Sequence, residues 1–228
     1  MKPKRALVGV TLGVLGLMIY GTSTAPSQAL PTKTKQIEFT ANVWADNWFA
    51  LYANGKLVGE DSVPITTERS FNSETIQFTA TYPLTLALIA KDYTQNASGL
   101  EYIGTSRQQI GDGGVIAQIK ETKSGRLVSA TSSKWKSLVV NTAPVNPTCV
   151  TSANPVVDCK STSVATPAGW SSGSFNDSGW RSATTYSPQA VGVKDGYLTI
   201  NWASNAQLVW GPDLKLDNTV LLRTKVAK

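Results

Sequence analysis

The sequence of 228 residues contains no histidine, and this absence removes most of the common catalytic side-chain sets. A Ser-His-Asp triad, a Cys-His pair and an imidazole-bound zinc all need at least one histidine. Pairs of carboxylates could still hydrolyse glycosides. The acidic candidates, Glu60 with Asp61 and Asp46 with Asp92, fall at predicted turns and strand ends, where carboxylates more often cap turns or face solvent. We therefore expect a chain that is not an enzyme. A glycoside hydrolase is the third hypothesis, after the two binding roles described at the end of this subsection.

Cysteine is scarce as well: the sequence has only Cys149 and Cys159. They lie in a stretch from residue 141 to residue 169 that is rich in Pro, Thr, Ser and Asn. Outside the cytoplasm such a pair is oxidised, and closing this short loop stabilises the fold by roughly 2–3 kcal/mol. Two free thiols are the alternative, while two thiolates without histidine do not make a zinc site.

No apolar run reaches the length of a membrane-spanning helix. The longest apolar run lies near the start of the sequence. Basic residues at positions 2, 4 and 5 precede an apolar run of 15 residues, Ala6–Tyr20. A polar stretch with small side chains at Ser27 and Ala29 follows. This three-part pattern predicts a signal peptide over residues 1–29, because a membrane-spanning helix needs about 20 apolar residues. An uncleaved anchor is the alternative. Either way we expect a protein that is secreted, periplasmic or held at the cell surface.

Clustered positive charge is absent from the rest of the chain. Removal of residues 1–29 lowers the formal net charge from +6 to +3, and the remaining Lys and Arg are scattered. A nucleic-acid interface concentrates such residues on one stripe, so we expect no nucleic-acid partner. No later segment is apolar enough to cross a membrane. Residues 30–228 have a length that suits one β domain, with residues 141–169 as a disulfide-closed insertion.

Short β-branched and aromatic runs alternate with turn residues along this domain, which is typical of a β-sandwich or barrel. In the first run Ile37, Phe39, Ala41 and Val43 alternate with mostly polar residues. Asn54-Gly55 lies between two such runs and is a strong hairpin signal, because both residues tolerate positive φ. The pattern predicts strands over residues 36–45, 48–53, 56–60, 75–81, 84–91, 115–120, 126–130, 136–140, 197–202, 207–210 and 219–225.

Several blocks resemble a known family of folds. The segment Ala45–Glu60, which reads ADNWFALYANGKLVGE, resembles the "aDn…LyvNGk…vG" block of galactose-binding-like jelly rolls. Gly169-Trp170 and Phe175–Ala183, which reads FNDSGWRSA, resemble the "gW…FdDSsW…A" block, and Leu208–Pro212 resembles a closing strand. Together the blocks cover about residues 37–225. The resemblance implies an all-β fold, an antiparallel jelly-roll β-sandwich of galactose-binding-domain type, preceded by a signal helix.

Relatives of this type usually bind carbohydrate and sometimes hold a structural Ca²⁺. Aromatic side chains can stack on sugar rings at a binding site. The alternative role for each of them is packing in the hydrophobic core. The polar face of the first strand carries Trp44, which predicts an exposed ring. The predicted ligand-binding residues are Trp44, Asp46, Asn47, Trp48, Tyr93 and Trp202. Carboxylates are ligands for hard cations, so Asp46 and Asp217 are the predicted metal ligands, with Asn47 and Asn218 as further oxygen donors.

The sequence therefore favours an exported, non-catalytic binding module that recognises carbohydrate, such as a cell-surface glycan, through the loops of the sandwich. A structural or adhesive surface protein that binds other protein subunits is the alternative. The sequence leaves the ligand's identity and the oligomeric state open.

Overall fold

The computed structural model describes residues 34–228 and, before them, Gly9 alone. The predicted signal peptide thus lies outside the described residues. From Thr34 onward the chain forms one compact unit built almost entirely of β-strands. No helix among these residues is long and apolar enough to cross a membrane.

Fifteen strands are described, in chain order: β1 (Ile37–Asp46), β2 (Trp48–Ala53), β3 (Lys56–Glu60), β4 (Phe71–Ala80), β5 (Leu84–Lys91), β6 (Leu100–Glu101), β7 (Gln109–Ile110), β8 (Gly114–Glu121), β9 (Leu127–Ala130), β10 (Lys136–Thr142), β11 (Thr162–Ser163), β12 (Arg181–Ser182), β13 (Thr184–Tyr186), β14 (Leu208–Trp210) and β15 (Asp217–Val226). Two helices of one turn, α1 (Pro155–Asp158) and α2 (Pro188–Val191), and two 3₁₀ turns, Pro147–Thr151 and Tyr197–Thr199, lie in the connections.

The strands form two main sheets in which every described pairing is antiparallel. The first sheet has the order β13-β14-β8-β1-β4, with β9 on β8. The second has the order β11-β10-β15-β5-β2-β3, with β12 on β10, while β6 and β7 form a separate pair. Only Asn47 separates β1 in the first sheet from β2 in the second. The all-β antiparallel prediction is confirmed.

The main core lies between these two sheets, as in a β-sandwich. It takes alternate residues from each strand, since successive side chains point to opposite faces. The predicted inward sets are confirmed, because Phe39, Ala41 and Val43 of β1 are fully buried there and Ile37 packs against them. The same core contains the alternate leucines of β5 together with residues of β2, β8 and β15: Leu84, Leu86, Leu88, Phe49, Leu51, Val115, Ala117, Val220 and Leu222.

The hairpin between β2 and β3 has the predicted turn. Asn54 has φ 50° and Gly55 has φ 84°, a region that L-residues other than Asn and Asp rarely adopt. The Asn54 amide adds two long-range contacts, since its Nδ2 donates to the Thr81 carbonyl and its Oδ1 accepts from the Thr85 N–H. The turn is therefore tied to the neighbouring loop as well as to its own strands.

The outer faces of both sheets carry covers made of irregular chain. On the first sheet, residues 187–206 place Val191, Val193, Tyr197 and Trp202 over Trp44 and Ile116. On the second sheet, residues 170–180 place Trp170, Phe175 and Trp180 over Ala87 and Leu221. Both sheets are thus buried on two sides over much of their area.

A buried arginine fixes the cover of the second sheet. Arg223 of β15 is fully buried, and its guanidinium donates to the carbonyl oxygens of Ser172 and Phe175 and to the carboxylate of Asp177. An ion pair holds such a charge only when further hydrogen bonds support it. The two carbonyls and the carboxylate bond both terminal nitrogens, whereas the Nε has no acceptor among residues 34–228. The segment 172–177 is therefore anchored to the sheet mainly through Arg223, and Lys225 adds a hydrogen bond to the Phe175 carbonyl.

The insertion after β10 is closed by the predicted disulfide between Cys149 and Cys159, whose Cα atoms are 5.3 Å apart. The strand β11 returns to pair with Asn141 and Thr142 of β10, so the insertion begins and ends at the edge of the second sheet. The predicted strand over residues 197–202 is wrong, because Tyr197–Thr199 forms a 3₁₀ turn of the cover instead.

Candidate functional site

The expectation of an exposed Trp44 is wrong, because its side chain is fully buried. Its Nε1 donates to the Asp195 carbonyl at 2.8 Å, and its ring centroid lies 5.5 Å from that of Tyr197. Alternation along β1 correctly predicted that Trp44 faces away from the main core. That face carries a cover, however, and the ring packs beneath it rather than meeting solvent.

Trp202 belongs to the same cover and does not join the other predicted ligand-binding residues. Its half-buried ring lies 5.9 Å from Tyr197, and its Nε1 donates to the Tyr197 carbonyl at 3.0 Å. Trp44 and Trp202 therefore hold the cover in place on the first sheet.

Trp48 lies on the second sheet, where its half-buried ring has a cation beside it. The Lys91 Nζ is 5.1 Å from the centre of the Trp48 ring, because Trp48 and Lys91 are paired across β2 and β5. An ammonium over an indole face is attracted by the negative face of the ring. The pair thus presents an aromatic surface and a positive charge on the same outer face of the sheet.

Asn47 brings Tyr93 to this region, although both of its own side-chain atoms bind within the protein. Its Oδ1 accepts from the Tyr93 N–H at 2.6 Å, and its Nδ2 donates to the Glu68 carbonyl at 3.2 Å. Asn47 is buried, with 1% of its surface exposed. The predicted residues Trp48 and Tyr93 are therefore neighbours, and Asn47 positions them from inside.

Strand register extends this surface across the sheet. Lys91 pairs with Thr219 of β15, and Thr219 pairs with Asn141 of β10. A depression of about 220 Å³, here called the Lys91 depression, is lined by Ile65, Lys91, Asp92, Tyr93, Thr94, Asn141, Asn218 and Thr219. Ligand sites combine apolar or aromatic surface with a few placed polar groups. Ile65, Lys91, Thr94, Asn141 and Thr219 are the lining residues that the sequence did not single out.

A larger depression, of about 570 Å³, lies elsewhere along β9 and β15. Its lining mixes polar and small apolar residues, and its one tryptophan, Trp135, is 1% exposed and donates its Nε1 to the Ala130 carbonyl. No aromatic face is therefore available to a ligand there. The Lys91 depression, beside Trp48, is the better candidate.

Three buried carboxyls and one half-buried carboxyl lie near enough to act on one another through their charges. Asp46 ends β1, Asp92 follows β5, Glu101 ends β6 and Asp112 precedes β8; these four residues are here called the acidic cluster. Asp46 is 2% exposed and Asp92 and Glu101 are 5% exposed. So many acidic groups in one buried region are unusual, since buried charges are normally paired or bound to a metal.

The surroundings favour the neutral forms of these carboxyls. Loss of hydration raises the pKa of Asp46 well above its usual range, and the negative charge of Asp112 raises it further. Burial is also the main cause that raises the pKa of Asp92, and the negative charge of Asp46 raises it further. Burial also raises the pKa of Glu101 and of Asp112. The positive charge of Lys194 opposes both of these increases.

Asp217, the second predicted metal ligand, does not join the acidic cluster. One of its oxygens accepts from the Thr142 hydroxyl at 3.1 Å and the other from the Asp213 N–H at 2.9 Å. Its carboxylate thus closes the turn before β15. Asp46 differs, since its Oδ2 has no hydrogen-bond donor among residues 34–228. An oxygen of this kind fits a hard cation.

Comparison of the chain with protein-family models, with curated proteins and with solved structures finds no match.

Proposed function

We propose that the chain is an exported, non-catalytic binding module that recognises carbohydrate at the Lys91 depression and the adjoining ring of Trp48. The observation that carries the proposal is the row of Trp48, Lys91, Thr219 and Asn141, which register places side by side across four strands. A half-buried indole offers a face for the C–H surface of a sugar ring. The ammonium, hydroxyl and amide beside it suit sugar hydroxyls.

The rigidity of this surface supports the proposal. All four residues lie on paired strands, and the Tyr93 backbone is fixed by Asn47 at 2.6 Å. A preformed site loses little conformational entropy on binding. The resemblance of the Ala45–Glu60 block to galactose-binding-like jelly rolls points the same way. We include that finer fold type, and location outside the cytoplasm, in the proposal.

The test is binding to a glycan array and to insoluble polysaccharides, followed by titration of the strongest ligand. We expect Trp48→Ala to weaken binding about tenfold or more, since loss of an aromatic contact of about 1.4 kcal/mol gives a factor of ten. Lys91→Ala is expected to weaken it as well. Trp202→Ala, which changes a half-buried tryptophan on the other sheet, is the matched control and should bind within about twofold of the unmodified protein.

If no glycan is retained at micromolar concentration, the proposal is wrong. If a glycan binds equally well to Trp48→Ala, the function stands but the site is elsewhere.

A structural or adhesive role is the second candidate, and the insertion favours it. Val156 and Val157 of α1 and Val164 beyond β11 are 63%, 59% and 50% exposed. Neighbouring exposed apolar side chains on a rigid loop are typical of surfaces that bind other proteins. Ordered self-assembly that the double change Val156→Ser and Val157→Ser abolishes, with no glycan binding, would favour this role.

A further inference from the structure

A second cation lies over an aromatic ring in the connection between β6 and β7. The Arg107 Cζ is 4.0 Å from the centre of the Tyr102 ring, and Arg107 is exposed. A guanidinium at this distance is attracted by the negative face of the ring. These two residues, here called the Tyr102–Arg107 pair, repeat the combination of Trp48 with Lys91. Among residues 34–228 neither cation is within ion-pair distance of a carboxylate, so both charges are available to a ligand.

The backbone of Tyr102 has a conformation that tyrosine rarely adopts. Its φ is 51°, in the left-handed region that is unfavourable for a residue with so large a side chain. Thr105 holds this turn, because its hydroxyl donates to the Tyr102 carbonyl at 2.7 Å and accepts from the Arg107 N–H at 3.1 Å. Gln108 fixes the end of the turn by donating to two carbonyls of the insertion. Backbone strain of this kind persists only where the surroundings hold it, and it is concentrated at functional sites.

Asn47 connects this turn to the Lys91 depression. Its side chain bridges the Tyr93 N–H and the Glu68 carbonyl, at 2.6 Å and 3.2 Å. Tyr93 lines the depression, and so does Ile65, which lies in the same loop as Glu68. Burial raises the pKa of the Tyr102 hydroxyl, and the negative charge of Glu68 raises it further, as expected for neighbouring groups. The loop that contains Ile65 and Glu68 therefore reaches both the depression and the Tyr102–Arg107 pair.

The acidic residues beside this pair are less exposed than its cation. Glu68 and Glu101 are the acids whose charges act on Tyr102. Glu68 is half-buried and Glu101 is 5% exposed, whereas Arg107 is exposed. A ligand that approaches the ring from solvent therefore meets the guanidinium before it meets either carboxylate.

We propose that the Tyr102–Arg107 pair forms a second subsite beside the Lys91 depression and selects carbohydrate chains that carry anionic groups. The second subsite rests on the proposed carbohydrate binding and adds the class of ligand to it. A guanidinium has a planar set of N–H donors that matches an oxyanion through two parallel hydrogen bonds. Lys91 supplies a point charge for a further anionic group. The arrangement suits a chain of two or more sugar rings that carries uronic-acid carboxylates or sulfate esters.

The first experiment is a glycan array that presents each chain in an anionic and a neutral form. Uronic-acid chains stand beside their methyl esters, and sulfated chains beside their desulfated forms. Titration of the strongest matched set follows. We expect the anionic form to bind about tenfold more tightly at about 0.1 M salt, and less of this advantage at about 1 M, where the Debye length falls to about 3 Å. The set that shows the preference distinguishes a carboxylate from a sulfate.

The second experiment assigns this preference to the pair. Arg107→Ala should weaken binding of the anionic form about tenfold and change binding of the neutral form by less than about twofold. Arg107→Lys keeps the charge but loses the planar donors, so we expect an intermediate loss. Arg181→Ala is the matched control, because it removes the same charge from an exposed position of β12, and it should bind both forms as the unmodified protein does.

Three outcomes would overturn the second subsite, and they differ in what they leave standing. Equal affinity for the anionic and neutral forms would remove the charge preference, while carbohydrate binding at the Lys91 depression would stand. A preference that persists in full in both Arg107 variants would place the anionic group elsewhere on the protein. If no chain is retained in either form, carbohydrate recognition and the second subsite are both wrong.

Discussion

Trp44 and Trp48 are four residues apart, both face away from the main core, and yet their surroundings differ. Trp44 is fully buried beneath residues 187–206, while Trp48 is half-buried beside Lys91. The cover of the second sheet packs on Ala87 and Leu221, and Lys91, which pairs with Trp48, is left to line a depression. Alternation along a strand thus determines which face a side chain takes. Distant chain determines whether that face meets solvent.

The largest expected difference between the two faces is in stability. Trp44→Ala removes a fully buried ring and its hydrogen bond to Asp195, so we expect the free energy of unfolding to fall by about 3–5 kcal/mol. Trp48→Ala should lower the free energy of unfolding by only about 1 kcal/mol, since its ring is already partly exposed to water. Urea unfolding of both variants measures the difference. Equal losses would mean that the two faces are equally covered.

The cover of the second sheet depends on the arginine beneath it. Asp177→Asn removes the only carboxylate among the described residues that is bound to the buried guanidinium of Arg223. We expect the free energy of unfolding to fall by about 1.5–3 kcal/mol. Asp195→Asn, an exposed acid in the cover of the first sheet, is the control and should change stability by less than about 0.5 kcal/mol. Limited proteolysis should cut residues 172–177 faster in Asp177→Asn alone.

The smallest effect is optical and compares the two rings directly. Trp48→Phe should remove a solvent-accessible emitter and lower the fraction of tryptophan fluorescence that acrylamide quenches, because its ring is half-buried. Trp44→Phe should remove an inaccessible emitter and leave the quenchable intensity unchanged. Quenching that falls equally in both variants would contradict the assigned exposures.

Local patterns were sufficient for most of the strands. The alternation in β1 and β5 and the Asn54-Gly55 turn depend on neighbours in sequence, and the structure has these elements within one residue of the predicted bounds. The segment Tyr197–Trp202 failed because Tyr197 and Trp202 pack in the cluster around Trp44 from a turn that follows Gly196, whose φ is 83°. Leu198 is 89% exposed, so the alternating composition of this segment reflects two contacts with the cover and not a strand.

The candidate site could be predicted only in part. Trp48 and Tyr93 were found as aromatic residues beside polar turns, whereas Thr219 and Asn141 reach the Lys91 depression through pairings across more than 70 positions of sequence. Such register depends on packing between distant strands and leaves no local signal. Asp92 carries a weak signal, since an acid directly after a buried strand is either a cap or a ligand.

The single-residue corner at Asn47 constrains how the length of this chain can vary. An extra residue there would exchange the two sides of β2, turning Phe49 and Leu51 toward water and Trp48 toward the interior. The tip of the disulfide-closed excursion, at the exposed Val156 and Val157, has no such limit, whereas the disulfide itself packs on Leu100. Insertions and deletions should therefore be tolerated at that tip and eliminated at the corner.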